Sequence, residues 1–178
     1  MCLIGFDGFS ETVDWQLGQV KDLSKKNNCQ DAFVPFEEGD SLLNNIRNFY
    51  LLFIDSLIFK ISVITSEFNN VLNKIRNLSF ENKFQEVILS HFGSGIIYII
   101  YPLDNINDDN KVIKLINMVE DIAIDSGGNF MIEDIPLKFK EKVSVWGRTN
   151  INFKIMKKIK DQFDPKNILN PGRFVGGI

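Results

Sequence analysis

The sequence predicts an α+β domain, a mainly antiparallel sheet with helices on one face, followed by a helical and irregular C-terminal tail. Three observations carry that expectation. Short apolar, β-branched runs alternate with segments of helical periodicity. Two of the runs, Gln85–Ser90 and Gly95–Tyr101, are joined through His91-Phe92-Gly93-Ser94, a connection short enough for an antiparallel pair. After Ile151–Phe163 the chain becomes too rich in Pro and Gly for repeating structure, so its residues must be placed by docking onto something else.

The elements follow in order. Cys2–Phe6 reads as a strand closed by Asp7-Gly8, after which Ser10 offers a helix N-cap with Glu11 and Asp14 in the first turn. Val13, Leu17 and Val20 share one helical face, and Asn27-Asn28 can take the left-handed geometry that stops a helix. A second helix is predicted after Pro35-Phe36, using Leu42, Leu43 and Ile46. Leu51–Ile64 is almost wholly apolar or β-branched and reads as a long strand, with Ser66 capping a helix that carries Val71, Leu72, Ile75 and Leu78. The strand-helix unit thus occurs twice. Asp108 and Asp109 precede a helix bearing Val112, Ile116, Val119 and Ala123 and ended by Gly127-Gly128, and a strand at Asn129–Glu133 comes next. A short basic amphipathic helix, Ile151–Phe163, is stopped by Asp164-Pro165.

Composition sets outer bounds. A chain of 178 residues with 44% apolar content can bury a core without staples. Its net charge of −3 and its scattered basic residues give no electrostatic reason to expect nucleic acid as a partner. The two cysteines, Cys2 and Cys29, follow no metal spacing and suggest a reducing compartment, so a cytoplasmic location is expected. The apolar stretches are too short, or too interrupted by Asp55, Lys60 and Pro102, to span a bilayer.

The most specific feature is the tail. Lys160 to Arg173, read as K-D-Q-F-D-P-K-N-I-L-N-P-G-R, resembles the K-x-x-F-D-P-x-x-I-L-N-P-G-[RK] ending of FAD-linked oxidases of the vanillyl-alcohol oxidase superfamily, among them glycolate oxidase flavoprotein subunits and D-lactate dehydrogenases. His91-Phe92-Gly93-Ser94-Gly95 resembles the family's H-x-G-x-G hairpin, and Gly127-Gly128 followed by Glu133 resembles its G-G-x-x-x-x-E-H strand. Val145-Trp146-Gly147-Arg148 and the terminal Phe174–Ile178 are similar to the smaller flavin-binding subunit of glycolate oxidase.

The resemblance implies ferredoxin-like repeats, with residues 1–148 as the substrate, or cap, domain and residues 149–178 as the helix and flavin-contacting tail. It implies FAD as cofactor, held mostly by a larger domain whose Gly-rich loops grip the pyrophosphate, and this sequence contains no G-x-G-x-x-G of its own. The expectation is therefore a chain cut at a domain boundary or the product of a split gene. Expected partners are that FAD-binding domain or subunit, other glycolate oxidase-type subunits, and a small 2-hydroxy acid.

In catalytic relatives the hairpin H-x-G-D-G-x-x-H and the strand E-H-G supply ligands for a divalent metal. Here Ser94 stands for the aspartate, Tyr98 for the second histidine and Asp134 for the histidine after Glu133. The resemblance thus implies that the metal has been lost.

Candidate catalytic residues are Lys60, His91, Tyr98, Glu133 and Arg148. His91 is a candidate general base, since imidazole as a class can exchange a proton near neutral pH, or else serves as a structural group in a hairpin. Arg148 can clamp a carboxylate bidentately, or form a surface ion pair. Lys60, on a strand nearly free of charge, needs a carboxylate, an anionic ligand or water, or snorkels to the sheet edge. Tyr98 and Glu133 stand at positions of lost metal ligands. The resemblance puts Asn170, Pro171, Gly172 and Arg173 beside the flavin ring, whereas Pro and Gly alone explain a plain turn. The Lys154–Lys160 cluster reads as a solvated helix face. Rival readings are a non-catalytic assembly module of a multi-subunit oxidase and a stand-alone ferredoxin-like ligand-binding domain; the latter leaves the tail unexplained.

Overall fold

Side chains alternate across a strand, so a strand with apolar residues at every second position must bury that face. In the computed structural model, β1 (Ser56–Ser62) does this with Leu57, Phe59 and Ile61, each fully buried. The structure describes residues 1–104, 106, 108–149 and 152–178, and only the backbone of Phe36 and Glu37. Two compact units are present, Met1–Asn48 and Phe49–Ile178.

The second unit holds the sheet. After β1 come α3 (Phe68–Asn82), β2 (Val87–His91), β3 (Ile96–Pro102), α4 (Asp109–Asp125) and β4 (Asn129–Asp134). The strands lie in the order β2-β3-β1-β4 with every neighbouring pair antiparallel. A βαββαβ succession in that order is a ferredoxin-like unit, so the expected α+β class and helix-backed antiparallel sheet are what the chain forms. Val71, Ile75 and Leu78 of α3 and Val112, Leu115, Ile116, Val119 and Ala123 of α4 share one core with the inward residues of β1, β3 and β4. Both helices therefore cover the same sheet face. Within this core the Tyr101 hydroxyl meets Ser79 Oγ at 2.8 Å. Burial pushes the Tyr101 phenol up to about 12, so it stays neutral. Beyond the sheet lie α5 (Leu137–Lys140), which the sequence pattern did not reveal, and α6 (Phe153–Phe163). The Ile151 start expected for α6 lies outside the described residues.

The first unit contains α1 (Ser10–Lys26) and α2 (Phe36–Arg47), and none of its described residues is buried. Asn28, at φ +53°, takes the left-handed geometry expected after α1. The strand expected at Cys2–Phe6 does not form: these residues join no sheet. Without neighbouring main-chain groups to complete a ladder, a lone β-prone segment gains nothing from extension.

Other expectations need correction as well. The long strand expected over Leu51–Ile64 is only Ser56–Ser62, because Phe49–Leu52 forms a 3-10 turn and Asp55 turns the chain at φ +55°. Ser10 is the first residue of α1 rather than its cap, and α3 starts after Glu67, not after a Ser66 cap; neither helix has a side-chain cap hydrogen bond. Asp108 does cap α4, accepting from the Asn110 N–H at 2.9 Å. Among the described residues no helix is long and apolar enough to cross a membrane.

The β2–β3 hairpin is tied to the end of β1 at Gly95, whose carbonyl accepts from the Val63 N–H at 2.9 Å. Gly95 has φ +66°, and a Cβ there would sit 1.9 Å from the Val63 carbonyl oxygen. Gly127, after α4, has φ +67° and open space around it. Gly95→Ala is therefore expected to cost about 3 kcal/mol or more in a urea titration, against about 1 kcal/mol for Gly127→Ala, which bears backbone strain alone.

Candidate functional site

The sheet face turned away from the helices carries the candidate cluster. Across-strand partners share a face, and the register runs Leu89 beside Tyr98, Tyr98 beside Lys60, and Lys60 beside Met131. Burying Phe59 and Ile61 on the helix side forces Lys60, between them, onto this opposite face. There its Nζ lies 3.4 Å from Glu133 Oε1 and 5.6 Å from the centroid of the Tyr98 ring. Glu133 reaches Lys60 although Met131 is the register partner, because residues two apart on β4 share a face and two long side chains span the diagonal; just beyond, the register shifts, Phe59 pairing with Ile132 but Ile58 with Asp134. Burial alone would lower the Lys60 pKa; Tyr98 and Glu133 outweigh it and hold the group above its ordinary 10.5. Lys60 is thus a fixed positive charge on a partly open surface. The Tyr98 ring is in turn backed by Phe49 at 5.2 Å between centroids.

His91 lies on the same face at the edge strand, where it pairs with Ile96. Its Nδ1 is 2.5 Å from Ser94 Oγ, and Nε2 is directed to neither Ser94 nor the Lys60 cluster by any hydrogen bond among the described residues. Ser94 thus spends its hydroxyl on the hairpin, also donating to the His91 carbonyl at 3.3 Å. Asp134 is likewise engaged, its carboxylate accepting from the Ile135 N–H at 2.9 Å. Among the described residues no group of three or more His, Cys, Asp or Glu is placed to hold a metal ion.

Arg148 sits on the α4 side of the unit. Its guanidinium meets Asp121 Oδ1 at 2.7 Å and Glu120 Oε2 at 3.4 Å, and its backbone N–H donates to Glu120 Oε1 at 2.5 Å. Hydrogen bonding to Asp121, with the charge of Glu120, raises its pKa further. Glu120 is buried, and Gly147 passes close to it with φ +71°. Glu120 therefore fixes the 146–148 turn. Arg148 and Lys60 nevertheless border one groove of about 630 Å³, with Asn129 and Met131 between them.

The tail docks on that turn. Trp146 Nε1 donates to the Arg173 carbonyl at 3.1 Å, and the Trp146 and Phe174 rings meet edge to face at 5.4 Å. Gly176 lies against Phe153 so closely that a Cβ would overlap its ring at 2.3 Å. Asn170, Pro171, Gly172 and Arg173 are all exposed, and Asn170 and Gly172 are in left-handed geometry at φ +48° and +74°. Gly172, Arg173 and Phe174 border a second groove of about 680 Å³ together with Glu133. Glu133 thereby belongs both to the Lys60 cluster and to the groove along the tail.

Asp164 shapes this tail, and the sequence reading passed it over as a mere helix stop. Its carboxylate is buried and accepts from the N–H groups of Ile168 and Leu169, each at 2.9 Å. Lys160 Nζ meets Asp164 Oδ2 at 2.5 Å and the Leu169 carbonyl at 2.6 Å. Lys160 is thus not part of a solvated face, which corrects the reading of the lysine cluster. The available signal was the spacing of four between Lys160 and Asp164 at a helix end with free carbonyls. Glu120 and Trp146 were missed for another reason: nothing local marks a helix glutamate or a loop tryptophan as a bracket for distant backbone.

An antiparallel sheet backed by two helices, with a charged cluster on its other face and a docked N-P-G-R turn, defines the domain class. The chain belongs to the family of FAD linked oxidases, C-terminal domain, whose model matches residues 1–174. It is also similar to "Glycolate oxidase subunit GlcD" of Bacillus subtilis (strain 168), 25% identical over 182 residues. The match takes in 96% of this chain but 38% of that protein, so the chain spans well under half of the relative's length.

The Lys160 hydrogen bond outweighs desolvation and, with the two backbone N–H groups, brings the Asp164 pKa from 3.8 down to about 2. A depressed carboxylate stabilises the fold above its unfolded pKa and is lost as pH falls through the folded one. In a Trp15→Phe background, Trp146 fluorescence should therefore hold steady above about pH 4 and change as pH falls toward about 2. Asp164→Asn should give the altered emission already at pH 7 and no acid step; identical titrations of the two proteins would remove the role given to Asp164.

Proposed function

We propose that this chain completes the flavin site of an FAD-dependent 2-hydroxy-acid oxidoreductase, acting on a small substrate of the glycolate or D-lactate kind. It does so when joined to an FAD-binding domain or subunit, and to other glycolate oxidase-type subunits. One observation carries the reading: the Lys60 ammonium, held by Glu133 and Tyr98 on the sheet face away from the helices, with Glu133 also bordering the tail groove. A substrate carboxylate needs a fixed cation, and a flavin ring needs a flat, open edge beside it.

The tail suits the second requirement. No atom lies within 4 Å of where a Gly172 side chain would begin, so a planar ring can approach the backbone there. Asn170, Pro171, Gly172 and Arg173 are the residues that would hold its edge. FAD, when bound, accepts the hydride that leaves the substrate Cα.

In this chain Lys60 binds the substrate carboxylate, exchanging it for Glu133, and so fixes which Cα–H faces the ring. His91, its Nδ1 occupied by Ser94, has Nε2 to take the hydroxyl proton. The Tyr98 ring, backed by Phe49, limits the size of the group carried on Cα. Arg148 reaches the same groove as Lys60, but in this reading its pairs with Glu120 and Asp121 make it a support for the turn that carries Trp146.

A second reading, an assembly module that passes no substrate, is favoured by the neutralisation of Lys60 by Glu133. The two are separated by reconstituting the chain with a flavin-binding segment and FAD, then adding glycolate or D-lactate under anaerobic conditions. Bleaching of the flavin absorbance supports the catalytic reading, and bound flavin that stays oxidised supports the assembly reading. Lys60→Met is expected to lower kcat/KM for the bleaching substrate about 100-fold with FAD still bound. Ending the chain after Leu169 is expected to weaken FAD binding about tenfold, with the urea midpoint of the sheet unchanged; unaltered flavin affinity would withdraw the tail's role.

A further inference from the structure

A sheet that ends in a bare strand leaves a row of main-chain donors and acceptors without partners. In an antiparallel ladder the N–H and C=O of one residue point to the same side, and successive residues alternate. The Val63 N–H donates to the Gly95 carbonyl, so Gly95, Ile97 and Ile99 face β1 while Ile96, Tyr98 and Ile100 face β2. Their partners Val87, Leu89 and His91 face back toward β3, which turns the main-chain groups of Ile88 and Ser90 outward. The same alternation turns Ile132 outward on β4, and there the edge is closed, for its N–H donates to the Val145 carbonyl at 2.7 Å. Among the described residues no main-chain group outside the sheet bonds Ile88 or Ser90.

β2 also lacks the devices that guard such an edge: it has no Pro, no Lys and no bulge, and its five residues pair with β3 without a shift. We propose that this edge pairs with β2 of a second copy of the chain, antiparallel and two-fold about Leu89, joining two four-stranded sheets into one. Three observations choose a second copy. Ile88 and Ser90 flank Leu89 symmetrically, so a two-fold sets Ile88 opposite Ser90 of the partner subunit and satisfies every outward N–H and C=O of both residues. The ionisable residues nearest the edge, Glu86 and His91, lie at its opposite ends, so antiparallel pairing brings no like charges together. Leu89, finally, meets Leu89 of the partner subunit on the open face, an apolar pair that extends the row running from Lys60 through Tyr98.

Apolar side chains along the edge add to the main-chain bonds. Val87 is 42% exposed, and Phe92, 57% exposed, is held on the helix side by an edge-to-face contact with Phe68 at 4.9 Å between centroids. Pairing along an edge covers neither face of the sheet, so Lys60, Tyr98 and Glu133 stay open and the inference does not depend on the chemistry proposed for them. The assembly closes at two copies, because a two-fold consumes the same edge on both.

Sedimentation velocity of the full chain, from about 1 μM to about 1 mM, is expected to show a reversible monomer–dimer equilibrium. Ser90→Pro removes an outward N–H and leaves the β2–β3 ladder intact, so it should weaken the dimer on the order of 100-fold with the urea midpoint in dilute solution unchanged. Leu89→Lys sets like charges directly opposite and should also prevent self-association. Mixed in equal amounts with Leu89→Glu, it should form a one-to-one heterodimer that neither variant forms with itself. Because Cys2 and Cys29 are free and exposed, cross-linking uses a Cys2→Ser, Cys29→Ser background. There Leu89→Cys, oxidised with copper phenanthroline, should give a disulfide-linked dimer, the two Cα atoms of such a pair lying about 4.5 Å apart. Val87→Cys should not, its two copies being offset along the strands by about 13 Å. A chain monomeric throughout the range, a dimer indifferent to Ser90→Pro, Leu89→Lys and Leu89→Glu chains that stay apart when mixed, or cross-linking through Val87→Cys in place of Leu89→Cys would each overturn the proposal.

Discussion

The alternation of side chains along β1 constrains everything around the cluster. Leu57, Phe59 and Ile61 must enter the core beneath α3 and α4, and Lys60 is thereby fixed on the other side of the sheet. Its neighbours there are determined by register: Tyr98 directly across on β3, and Glu133 diagonally across on β4. A one-residue slip would bury the ammonium and expel all three apolar residues, so core packing and placement of the charge are a single requirement. Glu133 then links this face to the groove along the tail.

Two carboxylates far apart in sequence perform parallel tasks. Glu120, buried on α4, grips the turn at Gly147-Arg148, and Asp164, buried at the end of α6, grips the turn before Asn170. Each satisfies backbone donors that no helix or strand supplies, which is how an irregular segment tolerates partial burial. Between them Trp146 joins the two turns through the Arg173 carbonyl. The irregular part of the chain is thus anchored at both ends by hydrogen-bonded charge, with aromatic packing in the middle.

What sequence reasoning recovered, it recovered where local pattern and tertiary environment agree. The helical spacing of Val112 to Ala123, the Asp108 cap and the hairpin around His91 all survive because packing rewards the same residues that propensity favours. Cys2–Phe6 and Leu51–Ile54 failed for the converse reason, since a β-prone run becomes a strand only where a neighbour offers its main-chain groups. Lys60 was recognisable as a charge out of place in an apolar run, but its pairing with Glu133 depends on β4 lying beside β1, which no local pattern encodes. The Asp164 clamp was visible only as a motif. Its physical meaning, a carboxylate that folds the chain back on its own helix, required coordinates.

That clamp also bears on the kinetics of assembly. Because the carboxylate closes a ring of hydrogen bonds from helix end to Leu169, this stretch of the tail is shaped before any partner arrives. The entropy of fixing residues 164–169 is thus spent during folding, so the proposed joining to a flavin-binding segment would not have to order a coil there. On the proposed reading, this motif would therefore act through the rate at which the flavin site is completed, even where the finished complex would be equally stable without it.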